Sequence, residues 1–156
     1  MKIRDAVPDD AFAAGEVMRR SITELCTSDR GNDPIILRRW LSNKAPEIFR
    51  SWIRPREFGS GSRRYRNRQY PWVGCVTDDG EITLNYVSPD ARLRGVSTAM
   101  LAKLEKRAIE RDNGTCRLES TETARRLYRA RGYSEDGPAG LKFGTSSGYP
   151  MSRRIK

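Results

Sequence analysis

The stretch Tyr86-Val87-Ser88-Pro89-Asp90-Ala91-Arg92-Leu93-Arg94-Gly95-Val96-Ser97-Thr98 decides how this chain is read. Glu81 to Val87 alternates, which predicts a strand with Ile82, Leu84 and Tyr86 on one face, and Pro89-Asp90 stops it. From Gly95 to Arg111 the apolar residues Val96, Met100, Leu104 and Ala108 recur at helical spacing with Leu101 beside them, while Lys103, Lys106, Arg107 and Glu110 lie off that stripe. A strand, a short turn and an amphipathic helix therefore follow one another. The first N–H groups of a helix have no intrahelical acceptor, and the helix dipole favours an anion there. Gly95 permits close approach of the backbone to a ligand, Ser97 is small, and the Ser97 and Thr98 hydroxyls add donors. Arg92 and Arg94 add positive charge. The turn reads as a phosphate seat, although a plain strand–turn–helix with exposed arginines would use the same residues.

Outward from this turn the chain orders itself simply. Upstream, Trp72 to Val76 and the Glu81–Val87 strand flank Asp78-Asp79-Gly80, a tight-turn signal. Residues 2–6 predict a first strand, Ala11 to about Cys26 a helix, Pro34 the start of a second, and Pro46 a further turn through Ile48, Phe49, Trp52 and Ile53. Downstream, Asp112-Asn113-Gly114 ends the long helix at a glycine. Cys116–Leu118 sits where a strand belongs, Thr121–Arg131 reads as helix closing at Gly132, and two strands are expected near 140–143 and 149–155. No repeat is present. The order predicts one mixed α/β domain over residues 1–156.

The 156 residues suffice for a core without disulfides. Histidine is absent, which excludes a Ser-His-Asp triad, a Cys-His pair and any His-ligated metal, so no metal is expected. Cys26, Cys75 and Cys116 form no CxxC, and an odd count suits a reducing compartment. The start Met1-Lys2-Ile3-Arg4 leads into acidic residues with no apolar run, and no stretch is long enough to span a membrane. The expected location is the cytoplasm.

The net charge is +10, with a sequence pI near 10.0. Half of that charge comes from residues 54–70, RPREFGSGSRRYRNRQY, where Arg54, Arg56, Arg63, Arg64, Arg66 and Arg68 face one acid, Glu57. No apolar period survives in this segment. Three readings stand side by side: a flexible basic loop with Tyr65 and Tyr70 able to stack on bases, an insertion without a role, or a local error in the sequence. The remaining charge is spread thinly over the rest, so nucleic acid is not the expected partner.

Two ordered motifs resemble the GNAT family of acetyl-CoA-dependent N-acyltransferases. Arg92-Leu93-Arg94-Gly95-Val96-Ser97 is similar to that family's pyrophosphate loop, [Arg/Gln]-x-x-Gly-x-[Gly/Ala], with Ser97 at the last position. Thr121-Glu122-Thr123-Ala124-Arg125-Arg126-Leu127-Tyr128, then Arg131-Gly132-Tyr133, is similar to its Asn-x-x-Ala-x-x-Leu-Tyr helix and the following Gly-[Phe/Tyr], with Thr121 in the Asn place. Ile3-Arg4-x-Ala6 with Asp9 or Asp10 looks like its first strand and helix start. The likeness is good over 72–156 and loose over 1–53.

The resemblance implies a mostly antiparallel sheet with one splayed parallel strand pair, helices on both faces, and acetyl-CoA as co-substrate. It implies that Tyr86 and Val87 lie along the pantetheine arm, that Arg92 to Thr98 hold the pyrophosphate, and that Thr121 touches the cofactor. Tyr128 would face the CoA sulfur. An ordinary tyrosine has a pKa about 10 against about 8.5 for a thiol, so Tyr128 either has a lowered pKa or hydrogen-bonds the sulfur, with a buried packing tyrosine as the other reading of the residue. An amine acceptor needs a base, and without histidine a carboxylate acting directly or through water is required. Glu119 and Glu81 are the candidates, with Glu119 nearer the expected splay; Asp29 and Asp33 are candidates for attracting a cationic acceptor. The implied reaction is acetyl transfer to a primary amine, small molecule or peptide, by direct attack in a ternary complex. A basic nucleic-acid module using 54–70 and a CoA-binding protein without catalysis are the alternatives; a homodimer is left open.

Overall fold

The turn at Asp78-Asp79-Gly80 closes a hairpin from which the rest of the sheet extends. The computed structural model describes residues 2–26, 33–42, 45–52, 58–62, 72–140 and 148–156. Strands β1 (Lys2–Asp5), β2 (Phe58–Ser62), β3 (Trp72–Val76), β4 (Glu81–Val87), β5 (Thr115–Ser120), β6 (Ser134–Glu135) and β7 (Tyr149–Arg154) form one sheet in the order β1-β2-β3-β4-β5-β7-β6. Every neighbouring pair is antiparallel except β4 and β5, which are parallel. The helices are α1 (Ala11–Leu25), α2 (Pro34–Leu41), α3 (Pro46–Trp52), α4 (Val96–Glu110) and α5 (Arg125–Ala130). None is long and apolar enough to cross a membrane among the described residues.

The sheet is covered on both faces. Met100, Leu101, Leu104 and Ala108 of α4 pack with Trp72, Val76, Ile82, Cys116 and Leu118 on one side. On the other, Ala14, Val17, Met18 and Ile22 of α1 pack with Val73, Leu84 and Tyr86. Asp10, not Asp9, secures the start of α1. Its buried carboxylate accepts two bonds from Arg4, at 2.7 and 2.9 Å, and one from the Val7 N–H at 2.8 Å. A buried carboxylate bound by a bidentate guanidinium and a backbone donor is well compensated for lost water.

Four expectations need correction. The patternless segment supplies β2 at its centre, Phe58-Gly59-Ser60-Gly61-Ser62, paired with β1 and β3. A Gly-Ser strand carries no apolar alternation to read, yet its backbone can complete a ladder. The flanking arginines and Tyr65 and Tyr70 lie outside the described residues. Next, Ile82 does not share a face with Leu84 and Tyr86. Cys75 pairs with Leu84 but Val76 pairs with Ile82, so Thr83 is an extra residue on β4. This bulge turns Ile82 to the α4 face while Leu84 and Tyr86 stay on the α1 face. Third, the left-handed residue ending α4 is Asp112, φ 64°, and not Gly114. The Asn113 N–H bonds to Ala108 O at 3.0 Å and the Asp112 N–H to Ile109 O at 2.9 Å, a Schellman closure. Last, the helix expected over Thr121–Arg131 is shortened to α5, and a short strand, β6, follows it; of the strand expected at 140–143, residues 141–143 lie outside the described residues.

Candidate functional site

Parallel pairing between β4 and β5 extends over Glu81↔Arg117 and Ile82↔Leu118 and then ends. The bulge at Thr83 falls immediately after the last pair, where the extra residue bends β4 away from its neighbour. From Thr83 to Val87 the β5-facing edge of β4 is open. A cleft of about 460 Å³ lies there, lined by β4 residues between Ile82 and Val87 other than Leu84, by Leu118 to Thr121, by Arg92, Leu93 and Gly95 to Thr98, by Leu127 and Tyr128, and by Ser21, Leu25 and Cys26 at the end of α1. Charged side chains lining it, among the described residues, are Arg92 and Glu119.

The turn after β4 is built to expose backbone donors. Ser88 Oγ accepts from the Asp90 N–H at 3.3 Å and shapes a short 3₁₀ turn over Pro89–Ala91. Leu93 and Gly95 then both take left-handed backbone, φ 62° and 70°. This is easy for glycine and costs leucine about 1–2 kcal/mol. The Leu93 side chain is 93 % exposed, so packing does not repay the strain. Gly95 is the N-cap of α4, and the helix's first bond runs from the Ala99 N–H to Gly95 O at 3.1 Å. The N–H groups of Val96, Ser97 and Thr98 therefore have no intrahelical acceptor and sit at the cleft. A Cβ placed on Gly95 would meet nothing within 4 Å, and the cleft opens at these donors. Arg92 faces this space; Arg94 is exposed and stands outside the lining.

An ion pair holds the turn to α1. Arg20 reaches Asp90 at 2.8 Å and Glu24 at 3.0 Å, and the guanidinium holds the Asp90 carboxyl below its ordinary range. The turn is thus tied to the helix that forms the opposite wall of the cleft. The pairing of Arg20 with Asp90 is not legible in the sequence, because the two are far apart along the chain.

On the other flank, Thr121 Oγ1 accepts from the Ala124 N–H at 3.2 Å, so the residue in the family's Asn place shapes the turn into α5. This places Tyr128, which is 6 % exposed, against the cleft. Its oxygen accepts from Asn85 Nδ2 at 3.0 Å, and Asn85 Oδ1 accepts from the Trp72 indole N–H at 2.8 Å. Burial pushes the Tyr128 hydroxyl up to about 12, the Asn85 bond lowering it slightly. The direction is the opposite of the lowered pKa expected as one of the two roles for Tyr128.

The two candidate bases separate. Glu119 lines the cleft, and because Leu118 points into the α4 layer, strand alternation turns Glu119 to the other face. Glu81 stands at the closed end of β4 beside the hairpin turn, exposed and outside the cleft, so it is withdrawn as a base. Asp33 caps α2, accepting the Ile35 N–H at 2.8 Å, which accounts for it without an acceptor; Asp29 lies outside the described residues. The Cys116 thiol is buried and pushed up to about 11 by desolvation, unsuited to act as a nucleophile. Asn85 and Trp72 are the site residues that sequence reading passed over. The available signal was a polar amide inside an apolar strand, where asparagine is disfavoured.

Several solved structures share this architecture. A GCN5-related N-acetyltransferase from Rhodopseudomonas palustris superposes with a TM-score of 0.84 at 18 % identity, covering 98 % of this chain and 94 % of that one. PaiA N-acetyltransferase from Thermoplasma acidophilum, in complex with coenzyme A, gives 0.79 at 16 % identity, covering 98 % of each. The ribosomal-protein-S18-alanine N-acetyltransferase from Escherichia coli gives 0.66 at 20 % identity, covering 99 % of this chain and 93 % of that one. At these identities the likeness is one of fold. No curated protein sequence matches the chain. The model of the acetyltransferase (GNAT) domain matches residues 67–154, more than half of the chain. The chain therefore belongs to the GNAT acetyltransferase family.

Proposed function

We propose that the protein moves an acetyl group from acetyl-CoA to a primary amine by direct attack in a ternary complex. The observation that carries this reading is the open edge of β4 beyond Ile82, flanked by the Arg92–Thr98 turn on one side and Tyr128 on the other. Acetyl-CoA supplies the activated acyl group, as a thioester whose thiol departs. The chain's own residues divide the work. The N–H groups of Val96, Ser97 and Thr98, with Arg92, hold the pyrophosphate, because fixed donors and a cation in partly buried surroundings bind phosphate oxygens well. The backbone of Tyr86 and Val87, on the edge of β4 that lies beyond its last pair with β5, holds the pantetheine arm and offers the thioester carbonyl a fixed dipole.

Glu119 takes the proton of the acceptor ammonium, directly or through a water. An alkyl ammonium has a pKa about 10.4, so a base is needed near neutrality. Tyr128, kept protonated by burial, donates to the departing sulfur. Its hydroxyl is a weaker acid than a thiol, so it stabilises the sulfur through a hydrogen bond and does not carry the proton away. The acceptor is an amine of a small molecule or a peptide terminus.

Acetyl-CoA at about a hundredfold excess over its Kd is expected to stabilise the protein by about 2.7 kcal/mol, read as a rise in Tm. A panel of polyamines, aminoglycosides, amino acids and peptide N-termini, scored by CoA release, then identifies the acceptor. A Tm unmoved by millimolar acetyl-CoA overturns the proposal.

A further inference from the structure

Three groups in a row, from β3 through β4 to α5, make a hydrogen-bonded chain whose direction is determined by chemistry. An indole N–H donates and has no acceptor atom. The end of the Asn85 amide that Trp72 meets at 2.8 Å must therefore be the oxygen, which turns the NH₂ toward Tyr128 at 3.0 Å. An amide NH₂ in turn only donates. The phenolic oxygen of Tyr128 is thus occupied as an acceptor, and its own hydrogen is left for another group. Among the described residues no acceptor takes it, and the ring lines the cleft.

The sheet is shaped around this chain. Asn85 and Gly74 are register partners on β4 and β3, on the α4 face. Trp72 lies two residues along the same face and folds its indole back over Gly74. A Cβ on Gly74 would stand 2.1 Å from Trp72 Cζ2, so the ring occupies the place of a side chain at that position. Trp72 is fully buried, so its indole N–H has no water to take the place of Asn85. A half-buried asparagine turned toward a core is costly unless both ends are bonded. Here both are bonded, and the outcome is a tyrosine with one free hydrogen.

We infer that Trp72 and Asn85, in the space left by Gly74, are positioning residues that hold the Tyr128 hydroxyl as a donor toward the cleft. The inference rests on the role given to Tyr128 in the proposed acetyl transfer and names what sets its direction.

Asn85→Asp tests it, since it keeps the shape and replaces the NH₂ by oxygen. An ionised carboxylate accepts from Trp72 and from Tyr128 together, turning the hydroxyl hydrogen inward. A protonated carboxyl can donate as the amide does. The expected result is a kcat that falls with rising pH through the ionisation of the introduced carboxyl. At the high-pH end it reaches the level of Tyr128→Phe, on the order of 100-fold below wild type. The KM for acetyl-CoA should stay within about twofold, and Asn85→Asp combined with Tyr128→Phe should lose nothing more than Tyr128→Phe alone. Gly74→Ala, which displaces the indole, should lower kcat in the same direction without the new ionisation. It also keeps the question open to test if Asn85→Asp fails to fold. In the substrate-free protein, proton–nitrogen NMR of the Trp72 indole and the Asn85 amide reads the same bonds directly.

The inference is overturned if Asn85→Asp has wild-type kcat at every pH while Tyr128→Phe is slow, if the two losses multiply, or if Gly74→Ala leaves kcat untouched. Absence of any acetyl-CoA effect on wild-type Tm overturns the acetyl-transfer reading instead, and the two failures are told apart by that measurement.

Discussion

Strand β4 pairs with β3 from Trp72↔Val87 through to Val76↔Ile82, with one register shift at Thr83, whereas it meets β5 only at Glu81↔Arg117 and Ile82↔Leu118. One edge is closed along its length and the other opens after its second pair. Backbone N–H and C=O groups buried without partners are expensive, so an open edge next to a core persists only where something other than the next strand can satisfy it. The closed edge carries the stability: Trp72, Val73 and Val76 are fully buried, with helices packed on both sides. The open edge carries the cleft. The bulge at Thr83 separates the two regimes, and it also turns Ile82 from the α1 layer to the α4 layer. One extra residue both ends the parallel ladder and reallocates a core side chain.

If that division holds, damage on the closed edge should appear as lost stability, and damage on the open edge as lost function. The largest effect is expected from Trp72→Ala, which empties the centre of the closed side and leaves Asn85 without its donor. Truncating a buried tryptophan costs about 3–5 kcal/mol. Urea unfolding should show the midpoint falling with an unchanged slope. A loss under about 1 kcal/mol would mean that the β3 edge does not hold the sheet together.

Tyr128→Phe is the counterpart on the open side. Its kcat should fall on the order of 100-fold, about 2.7 kcal/mol of barrier, while stability falls by only about 1 kcal/mol from the bond lost to Asn85. Equal losses in kcat and in acetyl-CoA affinity would reassign Tyr128 to packing and blur the comparison. Smaller again is Arg92→Ala, expected to weaken acetyl-CoA binding about tenfold, about 1.4 kcal/mol, with the Tm of the free protein unchanged. Isothermal titration beside a melting curve measures both. A shift in the free protein's Tm would show Arg92 serving the fold.

Much of this division is legible in the sequence, for a physical reason. Helix periodicity and the Arg92–Thr98 turn are local patterns, and Tyr128 follows its motif at fixed spacing, so each can be read where it stands. What cannot be read is whatever depends on a partner distant in the chain. Strand β2 after Phe58 is Gly and Ser with no apolar alternation, and β1 and β3 give it a place. The bulge at Thr83 leaves an alternating pattern intact while changing which side of the sheet Ile82 faces. Asn85 has no meaning until Trp72 and Tyr128 are set beside it, and Arg20 none until Asp90 is. Glu81 illustrates the converse error. Its distance along the strand from Val87 was available, but not that the cleft opens only beyond Ile82.

The smallest expected effect lies within the donor turn, where Leu93 and Gly95 hold nearly the same left-handed backbone, φ 62° and 70°, with different side chains. Gly95→Ala adds a methyl that would touch nothing within 4 Å, so its cost is the backbone strain alone, about 1 kcal/mol. Leu93→Gly removes a comparable strain from a side chain that is 93 % exposed and has no packing to lose. It also gives the unfolded chain more freedom, which takes back about 0.5–1 kcal/mol. The single Leu93→Gly change should therefore move stability by well under 1 kcal/mol, and in Gly95→Ala with Leu93→Gly the net loss should stay within about 1 kcal/mol. Thermal unfolding of the three variants measures this. If Gly95→Ala alone cost about 3 kcal/mol or more, the region in front of the helix would be packed instead of open. The contrast between a closed and an open side of β4 would then fail at the point where the phosphate is expected to sit.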